Sequence, residues 1–388
     1  MQTRTRTIGE GASGGEHNAP GLEDLRLQID SIDTAVLELL NRRATVSVAV
    51  GEIKRRQGSP VFRPEREELL IETLLDKNSG PLPNAHLRSV YREILSSSRA
   101  LQRSHSVAFL GPDGTFSHMA ATEFFGNSAE FRPMSRLGDI FEAVSNRSCE
   151  LGVIPLENSL HGTVVQSIDL FAEHKVHILA EWFSQISHSL LSREKNLSDI
   201  KTVYSHPQAL GQCADWLRTN LPQAELVSVD STAAAAHKVF AEPQAAAIGH
   251  AGLAPRVKLS VLARNIEDTR DNWTRFVCIG SEPLASPVVE EAGETPAVKT
   301  SVLFTLADKP GSLAAALQCF AVAGVNMNKL ESRPMRLERW KYIFFCDVSC
   351  DLIDAKHEPL LEALRELCHS IRILGAYPAG RYMQKGIA

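Results

Sequence analysis

The sequence predicts a multidomain protein: an all-α unit, then an α/β unit, then an α+β unit of ferredoxin-like order. Three observations predict it. A heptad-like apolar repeat runs from Leu22 to Ile53 within a first hundred residues that read as helical, short apolar strands alternate with helices from Ser106, and a βαββαβ order closes the chain. The length of 388 residues suits two or three domains at roughly 100–200 residues each. Apolar residues at 44% and charged residues at 22% supply several ordinary cores. A net charge of -5 gives no global reason to bind nucleic acid or an anionic membrane. No apolar run is long enough to span a bilayer, and no apolar segment follows Arg4 and Arg6 as in a secretory signal. The seven cysteines are dispersed and odd in number, with no CxxC, so a disulfide framework is not expected and a reducing cytoplasm is. His174 and His177 have no companions at metal-ligand spacing; no metal and no cofactor are expected.

Residues 1–20 are rich in Gly, Thr and Ser and lack periodicity, which predicts a disordered tail. The helical unit is expected over 21–104. Leu22, Leu25, Ile29, Ile32, Val36 and Leu39 are spaced by threes and fours, and the stripe resumes at Val46, Val50 and Ile53. This predicts a helix of about 35 residues, about 50 Å long, that needs partners to bury its stripe. Pro64 opens a second helix with acidic residues in its first turn, Pro81 and Pro83 end it, and a third runs over 84–103. The α/β unit is expected over 105–281. Val107-Ala108-Phe109-Leu110, Leu151-Gly152-Val153-Ile154-Pro155, Thr202-Val203-Tyr204 and Ala245-Ala246-Ala247-Ile248 read as buried strands, which predicts mostly parallel sheets. Prolines and glutamates over 282–299 read as a linker. The βαββαβ unit is expected over 300–378, with a tail over 379–388.

Chemistry shows where charge replaces apolar residues. The long helix's stripe runs into Arg43, with Arg26 and Lys54 flanking the seam, and the third helix's stripe ends in Ser98 and Gln102 at i, i+4 spacing. Cations at a buried seam are costly without an anion. A cationic pocket for a small dianion satisfies them; a dimerisation module whose Arg and Lys reach water is the alternative.

Leu25-Arg26-Leu27-Gln28-Ile29-Asp30-Ser31-Ile32-Asp33, Leu39-Leu40-Asn41-Arg42-Arg43 and Val50-Gly51-Glu52-Ile53-Lys54 resemble the all-helical chorismate mutases over about 22–103. The resemblance implies an intertwined dimer. It implies that Arg26 (from the other subunit) and Arg43 hold the substrate carboxylates, that Lys54 and Gln102 contact the ether oxygen of the breaking bond, that Glu67 and Ser98 line the hydroxyl and carboxylate ends, and that Arg66 supports a carboxylate. Where that family can carry an Asp near the substrate hydroxyl, this chain has Arg63, which leaves Glu67 to carry that contact. The residue types suit a pericyclic rearrangement, which needs a held conformation and stabilised charge but no nucleophile.

The middle unit has four polar clusters: Gly111-Pro112-Asp113-Gly114-Thr115-Phe116-Ser117, Pro155-Leu156-Glu157-Asn158-Ser159 with Gly162-Thr163, Ser205-His206-Pro207-Gln208, and Asp271-Asn272-Trp273-Thr274-Arg275-Phe276. The first three follow strands, where ligands of open α/β sheets sit. Singly, each has an ordinary reading as turn, cap or surface loop. Together they resemble the prephenate dehydratases over about 106–280. This implies two α/β lobes around a cleft, similar to periplasmic binding proteins. The family's essential threonine falls on Thr274, which implies that it assists departure of the ring hydroxyl. Arg275 and the 111–117 loop, including Thr115, are the expected carboxylate binders. Glu157, Asn158, Ser159, Thr163, Ser205, His206, Gln208 and Phe276 are expected around the cleft.

In the last unit, Gly311-Ser312-Leu313-Ala314 opens the first helix and Glu331-Ser332-Arg333-Pro334 ends the second strand. Both resemble the phenylalanine-binding ACT domains, with Ser312 and Ala314 departing from the commoner Gly-Ala-Leu-Val. The combined expectation is a bifunctional enzyme that turns chorismate into prephenate and prephenate into phenylpyruvate. Phenylalanine would inhibit it, and it would be a homodimer or higher oligomer. Two alternatives are a dehydratase whose helical unit only dimerises, and a sensor of aromatic metabolites without turnover.

Overall fold

The structure, a computed structural model, describes residues 21–57, 62–103, 106–284, 297–335 and 342–383. The expected tail over 1–20 lies outside the described residues, as do most of the expected linker and residues 384–388.

The helical unit contains α1 (Leu22–Gln57), α2 (Pro64–Asp76) and α3 (Asn84–Gln102). Glu23 and Asp24 in the first turn of α1, and Lys54, Arg55 and Arg56 in its last, oppose the helix dipole at each end. Arg43, Ser47 and Gly51 follow one another at i, i+4 and turn toward α3. A Cβ on Gly51 would stand 2.8 Å from the Gln102 Cα, so the two helices approach this closely only over a glycine. The apolar stripe of α1 stays uncovered: Ile29 is 56%, Ile32 61% and Leu39 63% exposed.

The α/β unit is two-lobed. The first lobe holds β1 (Ser106–Leu110), α4 (Phe116–Phe125), β2 (Glu130–Met134), α5 (Leu137–Ser145), β3 (Leu151–Asn158), β4 (Gly162–Thr163), α6 (Val165–Glu173) and β5 (His177–Gln185). The second holds β6 (Ser189–Ser192), β7 (Thr202–Ser205), α7 (Pro207–Gln212), α8 (Ala214–Asn220), β8 (Glu225–Ser228), α9 (Thr232–Ala241), β9 (Ala245–Gly249) and β10 (Ser260–Arg264). The chain then returns to the first lobe as β11 (Trp273–Gly280). The sheets are mixed, not mostly parallel as expected. β1 runs parallel to β2 and β3, and β7 parallel to β8 and β9. β11, entering the first sheet from the other lobe, lies antiparallel between β3 and β5, and β6 lies antiparallel between β9 and β10.

The third unit has the expected order: β12 (Val298–Leu306), α10 (Ser312–Val322), β13 (Met327–Pro334), β14 (Tyr342–Val348), α11 (Glu358–Leu367) and β15 (Cys368–Pro378). Its sheet runs β13-β14-β12-β15, with β13 at an edge. Strand alternation divides its apolar residues. Val302, Phe304 and Cys346 pack with Phe320, Leu360 and Leu364 of its own helices. Leu303, Phe345, Leu374 and Tyr377 join Ile178, Val277 and Ile279 in the core of the first lobe. The unit is thus built into the α/β unit. Residues expected as a tail form β16 (Arg381–Met383), which pairs parallel with β5 at the sheet edge. Tyr382 stacks on Phe183 at 4.7 Å between centroids, and the Arg381 guanidinium reaches Glu68 of α2 at 2.6 Å.

The tightest point of this docking is Gly375, where a Cβ would lie 2.0 Å from the Ile178 carbonyl oxygen. Gly375→Ala is expected to cost about 1–3 kcal/mol by overpacking. That lowers the thermal midpoint by several degrees, at roughly 2–4 °C per kcal/mol for a domain of this size. An unchanged melting curve would mean that the two units are not packed this closely.

Candidate active sites

Within one chain the helical unit gathers most of the expected polar residues between α1, α2 and α3. Arg43 donates to the Ser98 hydroxyl, which itself donates to the Ile94 carbonyl at 2.8 Å in the α3 ladder. Lys54 lies close enough to Arg63, Arg66, Glu65 and Glu67 to feel their charges. Burial first, then Arg63 and Arg66, pull its ammonium below its ordinary value. Gln102 presents a buried amide oxygen, Oε1, with no partner among the described residues. An amide left unsatisfied at a polar site is placed for a ligand. Glu65, which the sequence did not single out, joins this group, with its carboxyl pushed up chiefly by burial. Glu67 is held by Arg99 of α3. Arg26 is elsewhere: seventeen residues before Arg43 on the same helix, it is about 25 Å away at 1.5 Å per residue.

The second site is the cleft between the lobes, a cavity of about 290 Å³. Thr115, Asn158, His206, Gln208, Thr274 and Phe276 line it as expected. The Asn158 amide is oriented by two backbone donors: Leu160 N–H and His161 N–H both reach its Oδ1 at 3.0 Å. Its Nδ2 therefore points the other way and donates to Thr274 Oγ1 at 2.9 Å and to Asn272 Oδ1 at 2.7 Å. A hydroxyl that accepts from an amide keeps its own proton for another acceptor. Thr274 is thus arranged as a donor in the cleft wall.

Two helix N-termini face the same space. Thr115 caps α4, accepting from His118 N–H at 3.3 Å, and Ser231 caps α9, accepting from Ala234 N–H at 3.0 Å. Thr115, Phe116, Ser231 and Thr232 all line the cavity. Unpaired backbone N–H groups at such ends favour an anion from either lobe.

Several expected cleft residues lie elsewhere. Strand alternation puts Thr274 and Phe276 on the cleft face of β11 and Arg275 on the opposite face. Arg275 is no carboxylate binder of this cavity. It is buried, bound by Glu181 at 2.6 Å and by Asp347 of β14 at 2.5 Å. Burial opposes its charge, but Tyr377, Asp347 and Glu181 outweigh it and hold the guanidinium above its ordinary range. Glu157 likewise faces away, at 2.8 Å from the Lys329 ammonium. Thr163 Oγ1 accepts from Lys329 at 2.8 Å and donates to Glu331 at 3.1 Å. Ser205 is fully buried and donates to the Ile248 carbonyl at 2.8 Å. Ser159 braces the strand entry, accepting from Trp273 N–H at 2.9 Å.

The cleft also contains residues that sequence reasoning missed, His188, Gln212, Asp230, Ser231 and Thr232, together with Asn272 of the fourth cluster. Gln212 spans the lobes, at 2.7 Å from His188 Nε2 and 2.9 Å from His161 Nε2. Its signal was present, because it stands one helical turn after Gln208. His188 is a lone histidine between Ser187 and Ser189 and carried none.

In the third unit Gly311 adopts a left-handed φ of 84° at the N-cap of α10, so Ser312, Leu313 and Ala314 form its first turn. Alternation along β13 turns Lys329, Glu331 and Arg333 toward the two-lobed unit and Ser332 and Pro334 outward. Arg333 Nε stands 3.5 Å from Asp169.

Comparison with known proteins accounts for each unit. Residues 25–103 match the family model of type II chorismate mutase, 107–284 that of prephenate dehydratase, and 300–366 that of the ACT domain. The bifunctional chorismate mutase/prephenate dehydratase of Aquifex aeolicus is 39% identical over 92% of this chain and 98% of its own length. A crystal structure of prephenate dehydratase from Arthrobacter aurescens in complex with L-Phe matches at a TM-score of 0.63 and 33% identity. It covers 71% of this chain and 90% of that one. A structure described as GqqA, a novel type of quorum-quenching acylase, matches at a TM-score of 0.63 and 29% identity, over 71% and 98%. With all three family models in order and a relative matched end to end, the chain belongs to the bifunctional chorismate mutase/prephenate dehydratase family.

Proposed function

We propose that the protein rearranges chorismate to prephenate in the helical unit and dehydrates and decarboxylates prephenate to phenylpyruvate in the cleft. We propose also that phenylalanine inhibits it through the ACT domain. The observation that carries this reading is that two separate polar sites, each suited to one step, stand in different domains of one chain. The first step is pericyclic, so its site needs only to hold a compact dianion and stabilise charge on the ether oxygen. Arg43, Lys54, Ser98 and Gln102 supply those groups. The uncovered stripe of α1 and the remote Arg26 support a dimer in which a second copy covers the stripe and brings its Arg26. In the second step the ring carboxylate leaves as CO₂, its bonding pair enters the ring, and the ring hydroxyl departs with the pair of its own C–O bond. A hydrogen bond from Thr274, oriented by Asn158, stabilises the departing hydroxide. With Arg275 turned away, the N-termini of α4 and α9 are the groups that favour the substrate's carboxylates. A location in the cytoplasm fits the seven free cysteines. The acylase likeness covers 71% of this chain, and a shared fold does not carry a shared reaction.

The two sites should fail independently. Lys54→Ala is expected to lower mutase turnover by about 10²–10³ and to leave dehydration of supplied prephenate unchanged. Thr274→Val, which keeps the volume but removes the hydroxyl, should do the reverse, so that prephenate accumulates from chorismate. Separate assays of prephenate and phenylpyruvate read both. Loss of both activities in either folded variant would contradict the reading.

For regulation, phenylalanine should bind where the outward face of β13 at Ser332 meets the N-terminus of α10 at a contact between two ACT domains. Gly311→Val must force a branched residue into a left-handed φ, a strain of roughly 1–2 kcal/mol. It should weaken calorimetric phenylalanine binding about tenfold and raise the inhibitory concentration in parallel. Unaltered inhibition would place the effector in the cleft instead.

A further inference from the structure

The mutase site does not end at the helical unit. Arg99, on α3 beside Ser98, is 6% exposed and belongs to none of the expected mutase contacts. Its NH1 donates to Glu67 Oε2 and its NH2 donates to the backbone carbonyl of Phe125 at 2.5 Å. Phe125 is the last residue of α4, in the dehydratase domain. The guanidinium also lies over two rings, 5.8 Å from the Phe62 centroid and 5.9 Å from that of Phe125. One ring comes from each domain. Around it the domains touch closely: Ser128 N–H donates to Ser96 Oγ at 3.1 Å, and Asn127 N–H to Glu93 at 3.2 Å. Arg99 is therefore a fixed cation whose geometry the dehydratase domain sets.

Glu67 gains two things from it. Binding at Oε2 fixes the direction of the whole carboxylate, including the second oxygen. The paired cation also offsets a negative charge that would otherwise face a dianionic substrate and an ether oxygen gaining charge. In this chain the matter is acute, because Arg63 stands where a second acidic residue could share the hydroxyl contact.

We propose that Arg99 is a positioning residue of the chorismate mutase site, acting through Glu67 and anchored by the Phe125 carbonyl, so that the dehydratase domain forms part of the mutase's supporting layer. The inference rests on the mutase reading of the helical unit. Loss of a charge-assisted hydrogen bond corresponds to about a 10- to 100-fold change. In the full chain, Arg99→Met should lower mutase kcat by that factor with a smaller change in KM. Arg99→Lys should recover part of it. Turnover of supplied prephenate is the control for folding and should not change. The deciding readout is a double-mutant cycle with Glu67→Gln: if Arg99 acts through Glu67, Arg99→Met adds little in that background. Independent, multiplying losses, or normal mutase kinetics in a folded Arg99→Met protein, would overturn the proposal. Absence of mutase activity in the unaltered protein would instead overturn the underlying reading.

Discussion

A buried cluster of four charges joins the regulatory domain to the strand that carries Thr274. Arg275 of β11 is clasped by Glu181 of β5 and Asp347 of β14, and Glu181 also receives Lys299 of β12 at 2.5 Å. Tyr377 and Ser301 complete it, with Ser301 Oγ 2.5 Å from both Asp347 Oδ1 and the Tyr377 hydroxyl. Two cations and two anions balance, so each desolvated ion has a partner; Arg275 also donates to the Tyr377 hydroxyl and Asp347 also accepts from Ser301. Glu181 and Arg275 come from the dehydratase domain, and the other members from the ACT domain. Each domain contributes one cation and one anion, and Arg275 and Glu181, already paired with each other, each take a second partner from the ACT domain.

Much of the rest depends on that junction. β11 faces the cleft through Thr274 and Phe276 and the ACT domain through Arg275, so one strand reports to both sides. β13 repeats the arrangement: Ser332 and Pro334, two of its four residues expected at the effector, face outward, while Lys329, Glu331 and Arg333 engage Glu157, Thr163 and Asp169. Residues expected to touch substrate and residues expected to touch phenylalanine thus meet each other directly. At the other end of the chain, β16 and Arg381 tie the C-terminus back to α2, and Arg99 ties α3 to α4.

The architecture was legible wherever a period decided it. The 3.5-residue repeat gave α1 nearly to its ends, and the βαββαβ order of the last domain was readable from alternation and turns. Motif order placed Asn158, His206, Gln208 and Thr274 around one cleft. Three of the failures share a cause. Glu157, Thr163 and Arg275 sit inside correct motifs, but a strand sends successive side chains to opposite faces, and the sequence does not say that a third domain covers the far face. Asp347 and Glu181, the partners of Arg275, lie 72 and 94 residues from it in sequence, so no local pattern could pair them. His188 acquires meaning only from contacts between the two lobes, and Arg99 only from contacts across domains.

The central claim is that the ACT and dehydratase domains share one charge-balanced core, and a double-mutant cycle in equilibrium unfolding tests it most directly. Arg275→Met or Asp347→Leu alone leaves an uncompensated buried charge, with an expected loss of about 3–5 kcal/mol. The two together remove one cation and one anion and leave Glu181 with Lys299. The double variant is therefore expected to be markedly more stable than the sum of the single losses implies. Strictly additive losses, or single variants within about 0.5 kcal/mol of the unaltered protein as for ordinary surface substitutions, would show that the two domains fold as independent units.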